Sequence, residues 1–528
     1  MDFVEGQDRE QMFISSIEQM VDREAFVRII DAFIDGLPLD QFDFKNLELN
    51  EQGRPPFHPG VLQKLYIYGY QNGIRSCRKL EHACRVNLEV IWLLRGRRPH
   101  YKTIANFRNQ NALAFRQVFS HFVAMLKDWR LLEGKTIAID SFKVRAQNSL
   151  KNNYNLAKIH RHLDYIDAKI DAYCEELDQA DDDEEKEQLQ AKINDQIDKW
   201  NQYCELGDEI IQSGKDQLSS TDHDAQAVIL HRNIVNVGYN IQAASDAKHK
   251  LLTAFDTGDV NDTHALESMV LQVQENLEIT KFDVLADKGY HTAAQLAACE
   301  DLNVTTYVSP KANAANVTNQ VIPVEDFKYH PGSDTYRCPN GSILRSNEMI
   351  YHRKSKKPKH PATRFKHYRT ADCKLCPIRS QCTNARNGRI IQRSEPARLG
   401  HSGGFQSAID RNNKRVLKNP DYYRQRQQII EHQFGTFKRQ WDFTYVLMKG
   451  KDQILGEIAL LFSTYNLRRT VSILGFSVFL KRLKDAFLTI FDYILLTVLM
   501  VRHIQLSFLT YPQLPQFKML EIGILKEC

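Results

Sequence analysis

The sequence predicts an α/β chain: a mixed sheet with helices, preceded by an all-α N-terminal region and carrying two insertions. Three observations predict it. Apolar residues recur at helical spacing through residues 10–130, beginning with Ile14, Ile17, Met20 and Val21. Short strand-like runs alternate with helical ones between Thr136 and Val308. A heptad-patterned acidic segment breaks that alternation after the first strand. At 528 residues the chain has room for two to four domains of ~100–200 residues. Its 42% hydrophobic and 26% charged residues exclude wholesale disorder.

In the N-terminal region a proline-rich break, Pro55-Pro56-Phe57-His58-Pro59, separates two helical parts. Nine Lys/Arg fall between Arg75 and Arg108, Arg97 and Arg98 among them, against Glu81 and Glu89. Short helices with that excess fit a nucleic-acid-binding bundle.

Thr136-Ile-Ala-Ile-Asp140 reads as a strand ending on an acid. Beyond it Ile159, Leu163, Ile166, Ile170, Tyr173 and Leu177 form a heptad stripe. Asp181–Glu185 interrupts the stripe, which Leu189, Ile193, Ile197 and Trp200 resume. The expectation is an antiparallel coiled-coil hairpin, inserted over residues 150–215. Strands follow at Val237–Ala244, Leu251–Asp256, Lys281–Ala286 and Val304–Val308, with helices at Thr263–Leu277 and Thr292–Cys299. With the hairpin removed, this is the connectivity of an RNase H-like mixed sheet. Residues 310–420 read as irregular and basic, and helices are expected over Asp421–Arg439 and Gly456–Arg469.

Charge narrows the partners. Residues 160–210 hold 17 Asp/Glu against 5 Lys/Arg, a local net of −12. The rest of the chain therefore carries +17 against an overall +5, which points to a polyanion. Met1-Asp2-Phe3-Val4-Glu5 does not read as a secretory start, and ten cysteines are too sparse for a disulfide scaffold. The apolar run Tyr493–Val501 has nine residues, short of the ~18–20 that span a bilayer. The expectation is a cytoplasmic protein without membrane contact.

Three acids stand out by position: Asp140 on the first strand, Asp287 after the fourth, and Glu431 inside a helical segment. In an RNase H-like sheet the first and fourth strands are neighbours, so their carboxylates meet, and a helix across that edge supplies a third. Three carboxylates make a hard-oxygen site for Mg²⁺ or Mn²⁺. Two such ions can activate a nucleophilic oxygen and stabilise the leaving oxygen of a phosphodiester.

The runs Ala138–Arg145, Val284–Tyr290 and Ile430–Arg439 resemble the three acid-bearing motifs of bacterial insertion-sequence DDE transposases. Thr221-Asp-His-Asp-Ala225 is similar to a further block of that family, and Pro56-Phe-His-Pro59 with its following helices resembles the family's N-terminal domain. The resemblance runs from about residue 30 to residue 475. It implies a helical DNA-binding domain at 1–130 and a catalytic domain at 131–475, with the hairpin and the basic 310–420 segment as insertions. It implies Asp140, Asp287 and Glu431 as catalytic residues holding two Mg²⁺ or Mn²⁺ ions. Metal-activated water would release a 3′-OH at the element's end, and that hydroxyl would attack target DNA. The implied partners are double-stranded DNA, as terminal inverted repeats and target, and a second copy in a homodimer; the implied location is the nucleoid. A DNA-binding protein of transposase descent that joins no strands, or an RNase H-like nuclease, are the alternatives.

In that family a Tyr, an Arg and a Lys flank the Glu at spacings of two, three and six intervening residues. Lys438 fits, whereas Tyr423 and Arg426 keep their mutual spacing but sit one residue too far upstream, with Gln427 at the expected Arg position. At ~100° per residue, Arg424, Glu431 and Lys438 share one face of an unbroken helix, while Arg426 points ~140° from Glu431. Arg424 is therefore the first choice as phosphate contact and Arg426 the second.

Cys338, Cys373, Cys376 and Cys382 form a C-x34-C-x2-C-x5-C pattern, a candidate tetrathiolate Zn²⁺ site. His291, Asp222, Asp224 and Asp246 are read as turn, loop or cap residues before ligands, and His432 as structural. Residues 476–528 read as an apolar helical tail.

Overall fold

The computed structural model describes residues 15–45, 47, 55–231, 234–310, 322, 324–353, 363–394 and 404–487. Six helices open the chain: α1 (Phe26–Asp35), α2 (Pro59–Gln71), α3 (Cys77–Val86), α4 (Leu88–Leu93), α5 (Tyr101–Gln110) and α6 (Ala112–Asp128). The proline-rich break starts α2, with Pro59 in the first turn and His58 Nδ1 accepting the Gly60 N–H at 3.2 Å. The aromatic face of α6 packs inward, Phe122 against Phe33 at 4.6 Å and Phe119 against Phe255 at 5.0 Å. The second contact crosses the expected boundary at 130. The helical region and the sheet share one continuous apolar core.

The main sheet contains β1 (Thr136–Arg145), β2 (Gln226–His231), β3 (Ile234–Asp246), β4 (Leu252–Thr257), β5 (Asp283–Ala286) and β6 (Thr305–Val308). Its order is β4-β3-β1-β5-β6, with β2 on the same side of β3 as β4. β1 and β3 are antiparallel; β1, β5 and β6 run parallel. This is the connectivity the sequence predicts, with two departures. β3 continues to Asp246, through part of the expected linker, and β2 was not foreseen.

Helices α7 (Leu156–Gln179) and α8 (Asp183–Ser213) form the inserted hairpin. Its antiparallel pairing is visible in His162 stacked on Tyr203 at 4.8 Å and Lys192 over Tyr173 at 5.8 Å. Helices α9 (Leu266–Leu277) and α10 (Ala293–Asp301) are the crossovers into β5 and β6. α9 buries Leu266, Met269, Val270, Val273 and Leu277, a 3-4 stripe against the sheet.

The basic segment is not irregular. It folds into a five-stranded antiparallel sheet: β7 (Lys328–His330), β8 (Thr335–Arg337), β9 (Ile343–Arg353), β10 (Thr363–Arg369) and β11 (Ile391–Ser394). The high density of Lys and Arg hides the alternation, since only a few positions per strand, such as Tyr336, Leu344, Tyr368 and Ile391, enter a core. Helix α11 (Gly404–Lys418), also not foreseen, covers the β6 edge, where buried Asn412 exchanges two hydrogen bonds with the Val308 backbone at 2.8 and 2.9 Å. The helix expected over 421–439 is α12 (Pro420–Gly435) followed by a wider π turn (Thr436–Gln440). Helix α13 (Lys451–Leu474) runs through the core. Of the expected apolar tail, residues 476–487 are helical, and 488–528 lie outside the described residues.

Candidate active site

The register of the main sheet positions the first two acids. Asp140 is not at a strand end: β1 continues to Arg145 against β3. The parallel pairing with β5, however, stops at Ile139 opposite Ala286. Asp140 is thus the first residue of β1 past the end of β5, and Asp287 is the first residue to leave β5. Asp287 starts a 3-10 turn, its Oδ1 accepting the Lys288 N–H at 2.5 Å.

The third acid comes on α12, which is clamped across the sheet at both ends. Near its start, Tyr422 bonds Thr136 Oγ1 at 2.7 Å and Asp283 Oδ2 at 2.9 Å. Near its end, Gln433 donates to Ser245 Oγ at 2.7 Å and Lys250 O at 2.8 Å. Glu431 remains half-exposed at the rim. Arg426 joins the helix to the sheet: one guanidinium nitrogen pairs with Asp140 Oδ2 and the other with Glu431 Oε1 at 3.2 Å. Its Nε is buried with no partner among the described residues.

The geometric preference for Arg424 does not match this placement. Arg424 is 75% exposed and pairs with Asp421 at 3.0 Å. Arg426, Ile429, Ile430 and Gln433 form the buried stripe of α12, so Arg426 faces the sheet. The arginine side chain is long enough to bridge the arc from its own position to Glu431. Tyr423 lies near the Arg426 charge. Lys438, in the π turn, sits 5.9 Å from the Phe142 ring, and burial beside Lys143 holds its pKa below the usual value. Arg97 and Arg98 lie on the exposed loop between α4 and α5. Arg75 and Arg108, counted in the same basic run, are interior.

Burial pushes the Asp140 carboxyl up to about 6; Arg426 opposes this and Asp287 reinforces it. The shift is upward from 3.8, so folded Asp140 takes up its proton as pH falls through about 6, before an unfolded carboxyl would. A protonated carboxyl is a poor cation ligand. Mn²⁺ binding to the free protein, followed by electron paramagnetic resonance, is expected to weaken as pH falls from 7 to 5.

A buried network missed in the sequence supports the Asp287 turn. Tyr290 donates to Gln242 Oε1, and Gln242 and Asn240 both donate to Asp262 Oδ1 at 2.8 Å. A Cβ on Gly289 would stand 2.8 Å from Asp262 Oδ2. Gly289→Ala is therefore expected to displace the turn and lower DNA cleavage by about a hundredfold, the cost of a small misplacement of reacting groups. A cleavage time course checks it.

The remaining candidates take structural roles. Asp222 and Asp224 accept the Gly450 and Lys451 N–H groups at 3.1 and 2.9 Å, at the start of α13. Asp246 accepts Gly134 N–H at 2.9 Å and Lys248 N–H at 2.9 Å. His291 bonds Asn413 and His432 bonds Tyr465, each at 2.9 Å.

Cys338, Cys373 and Cys376 lie in the neighbourhood of the buried Cys382 thiol at one side of the small sheet, without closing into a cluster. Cys338 closes a turn through the Gly341 N–H at 2.8 Å, and from that turn Asn340 Nδ2 reaches Cys376 Sγ at 3.6 Å. Cys338 packs on the core that buries Cys382, and a Cβ on Gly388 would meet Cys373 Cβ at 2.6 Å. Among the described residues, no three His, Cys, Asp or Glu side chains stand close enough together to hold a metal ion as they are. At the acids, the Arg426 guanidinium fills that place, so a cation already sits between two of the carboxylates. Oxygen donors there suit a hard divalent ion, and sulfur donors at the small sheet suit Zn²⁺.

Among the described residues, no helix is long and apolar enough to cross a membrane. No curated protein matches the chain. A cryo-EM structure of a piggyBac transposase synaptic complex with hairpin DNA is similar at a TM-score of 0.32 and 10% identity, over 88% of this chain and 79% of that one. Residues 337–471, which contain Glu431, match a transposase DDE domain, and residues 15–110, which contain α1–α5, match the DUF772 transposase domain. Two stretches of the chain are thus similar to transposase domains, a pair consistent with an insertion-sequence DDE transposase.

Proposed function

We propose that the protein cleaves phosphodiester bonds at the ends of its own mobile element and joins the freed 3′-OH ends to target DNA. The observation that carries this reading is the sheet register that sets Asp140 beside Asp287, with Glu431 brought in on the clamped helix. Asp140, Asp287 and Glu431 would hold two Mg²⁺ or Mn²⁺ ions. A divalent ion held there would supply Lewis acidity to the attacking and leaving oxygens. Arg426 and Lys438 supply fixed positive charge for the phosphate. Tyr422 and Gln433 keep Glu431 in register with the sheet.

In the first step water adds to the scissile phosphorus and the 3′-oxygen leaves, taking a proton. In the second, that 3′-OH attacks a target phosphodiester, one P–O bond forming as another breaks. No covalent protein–DNA bond is required. The basic helices at 1–130 grip the terminal repeats, two copies hold two ends, and the protein works at the nucleoid. Tyr423, Arg97 and Arg98 belong to its DNA contacts.

A strand-transfer assay tests this reading. DNA flanking the reading frame, incubated with the full chain and Mg²⁺, should yield nicked ends and then joined products. Nicks without joining indicate a nuclease, and binding without nicks a DNA-binding protein.

We propose Cys338, Cys373, Cys376 and Cys382 as a structural Zn²⁺ site. Among the described residues the small sheet buries six core residues, Phe327, Tyr336, Leu344, Tyr368, Cys382 and Ile391, and units with so little core need a staple. Plasma emission should find one zinc per chain, and Cys376→Ser should lose it. Zinc far below one per chain removes the site.

A further inference from the structure

We propose that α5 is the helix that reads base sequence, through Asn106 and Gln110 in the major groove of duplex DNA that carries adenines. The inference rests on the reading above that the chain handles DNA, and it goes beyond it by naming the reading element and its preferred base.

The two sides of α5 differ sharply. Ile104, Phe107 and Arg108 are buried. Arg108 anchors the helix from below, donating toward Arg75 O at 3.4 Å and Cys77 Sγ at 3.7 Å. Lys102, Asn106, Asn109 and Gln110 are exposed. At ~100° per residue these four span about 100° of arc, one narrow stripe away from the core. Three of the four are carboxamides, short of charge but rich in paired donors and acceptors. A stripe kept only for solubility gains nothing from three amides in place of charges.

The surroundings select the partner. No Asp or Glu occurs between Glu89 and Asp128, whereas seven Lys/Arg do. Of these, Arg95, Arg97, Arg98 and Lys102 are exposed at or just before the start of α5. A groove beside the helix is lined by Lys45, Arg98, His100, Asn106 and Gln110. The charge complements phosphates on both sides of an inserted helix, which fixes the protein on the duplex without reading it. The carboxamides supply what phosphate contacts lack. Asn and Gln match adenine, donating to N7 and accepting from N6–H, a pattern unique to that base in the major groove. A rigid helix held by its buried face is a suitable platform for such readout.

The test uses the full-length chain and a pool of randomised DNA duplexes, selected by binding and sequenced. Wild type should enrich a motif containing A·T pairs. Asn106→Ala and Gln110→Ala should each lose information at one or two of those pairs. Each should bind the wild-type motif about tenfold more weakly, with affinity for a scrambled duplex unchanged. Lys102→Ala should weaken both duplexes alike. All three positions are exposed, and unchanged thermal melts check that the fold survives; Asn106→Asp serves as a second variant and should likewise lose the motif. Variants that select the wild-type motif unchanged, or a wild type that binds duplexes without any motif, overturn the inference alone. A wild type that binds no duplex overturns the DNA-handling reading with it.

Discussion

Replacing Asp140 or Asp287 by Asn, or Glu431 by Gln, is expected to lower DNA cleavage on the order of 10³-fold or more while leaving duplex affinity within about twofold. The size follows from the role. Metal stabilisation of the attacking and leaving oxygens contributes several kcal/mol, and each ~1.4 kcal/mol is tenfold in rate. The three substitutions remove one negative charge each and little volume. Asp140 and Asp287 are partly exposed and Glu431 is exposed, so the fold should persist. Asp140→Asn also removes the negative charge opposite one Arg426 nitrogen, while the other keeps Glu431. Gel assays of end cleavage, paired with fluorescence anisotropy for binding, separate the two effects. Cleavage that survives one substitution removes that acid from the set. Loss of binding together with cleavage points instead to misfolding.

Glu457→Ala is expected to destabilise the protein by about 3–5 kcal/mol, the cost of stranding one member of a buried ion pair. Glu457 is 0% exposed and pairs with Arg75, itself 4% exposed, at 2.9 Å. The pair is well bonded, with only Arg75 Nε lacking a partner among the described residues. Glu457 also accepts Tyr70 OH at 3.1 Å and Leu447 N–H at 2.8 Å, and Arg75 donates to Asp442 O at 3.1 Å. Arg75 lies over the Phe443 ring at 4.2 Å. This cluster ties the N-terminal helices to the segment between α12 and α13. Its loss should loosen the helix that carries Glu431 as well as lower the unfolding midpoint. Urea unfolding followed by circular dichroism measures the change. A double substitution, Arg75→Met with Glu457→Leu, should recover part of the stability, because apolar groups of similar size need no partners.

The strands flanking the acids were legible because β1, β3, β4, β5 and β6 are short runs rich in apolar residues, buried almost continuously in β4, β5 and the start of β1 and bounded by polar turns. The connectivity then placed Asp140 against Asp287 without further information. β2 escaped because its apolar residues face outward in part, Ile229 being 53% exposed. The small sheet escaped because its strands bury one residue in several and spend the rest on Lys and Arg. Arg426 was legible in principle. Ile429 and Ile430 mark the inward face of α12, and Arg426 lies three and four residues before them. Asp140 on the sheet, as well as Glu431 on the helix, sets where the Arg426 guanidinium goes. The network of Tyr290, Gln242 and Asp262 joins three separate segments. Only the fold reveals that Gly289 is small because Asp262 is behind it.

The claim on which the rest depends is that residues 140, 287 and 431 surround one cation site. Iron-mediated scission tests it most directly. Fe²⁺ loaded in place of Mg²⁺, with ascorbate and peroxide, cuts the backbone beside the bound ion. The expected result is three sets of fragments, ending near 140, near 287 and near 431, all suppressed by excess Mg²⁺. Fragments from only one of these segments, or cuts elsewhere that Mg²⁺ does not suppress, would contradict it.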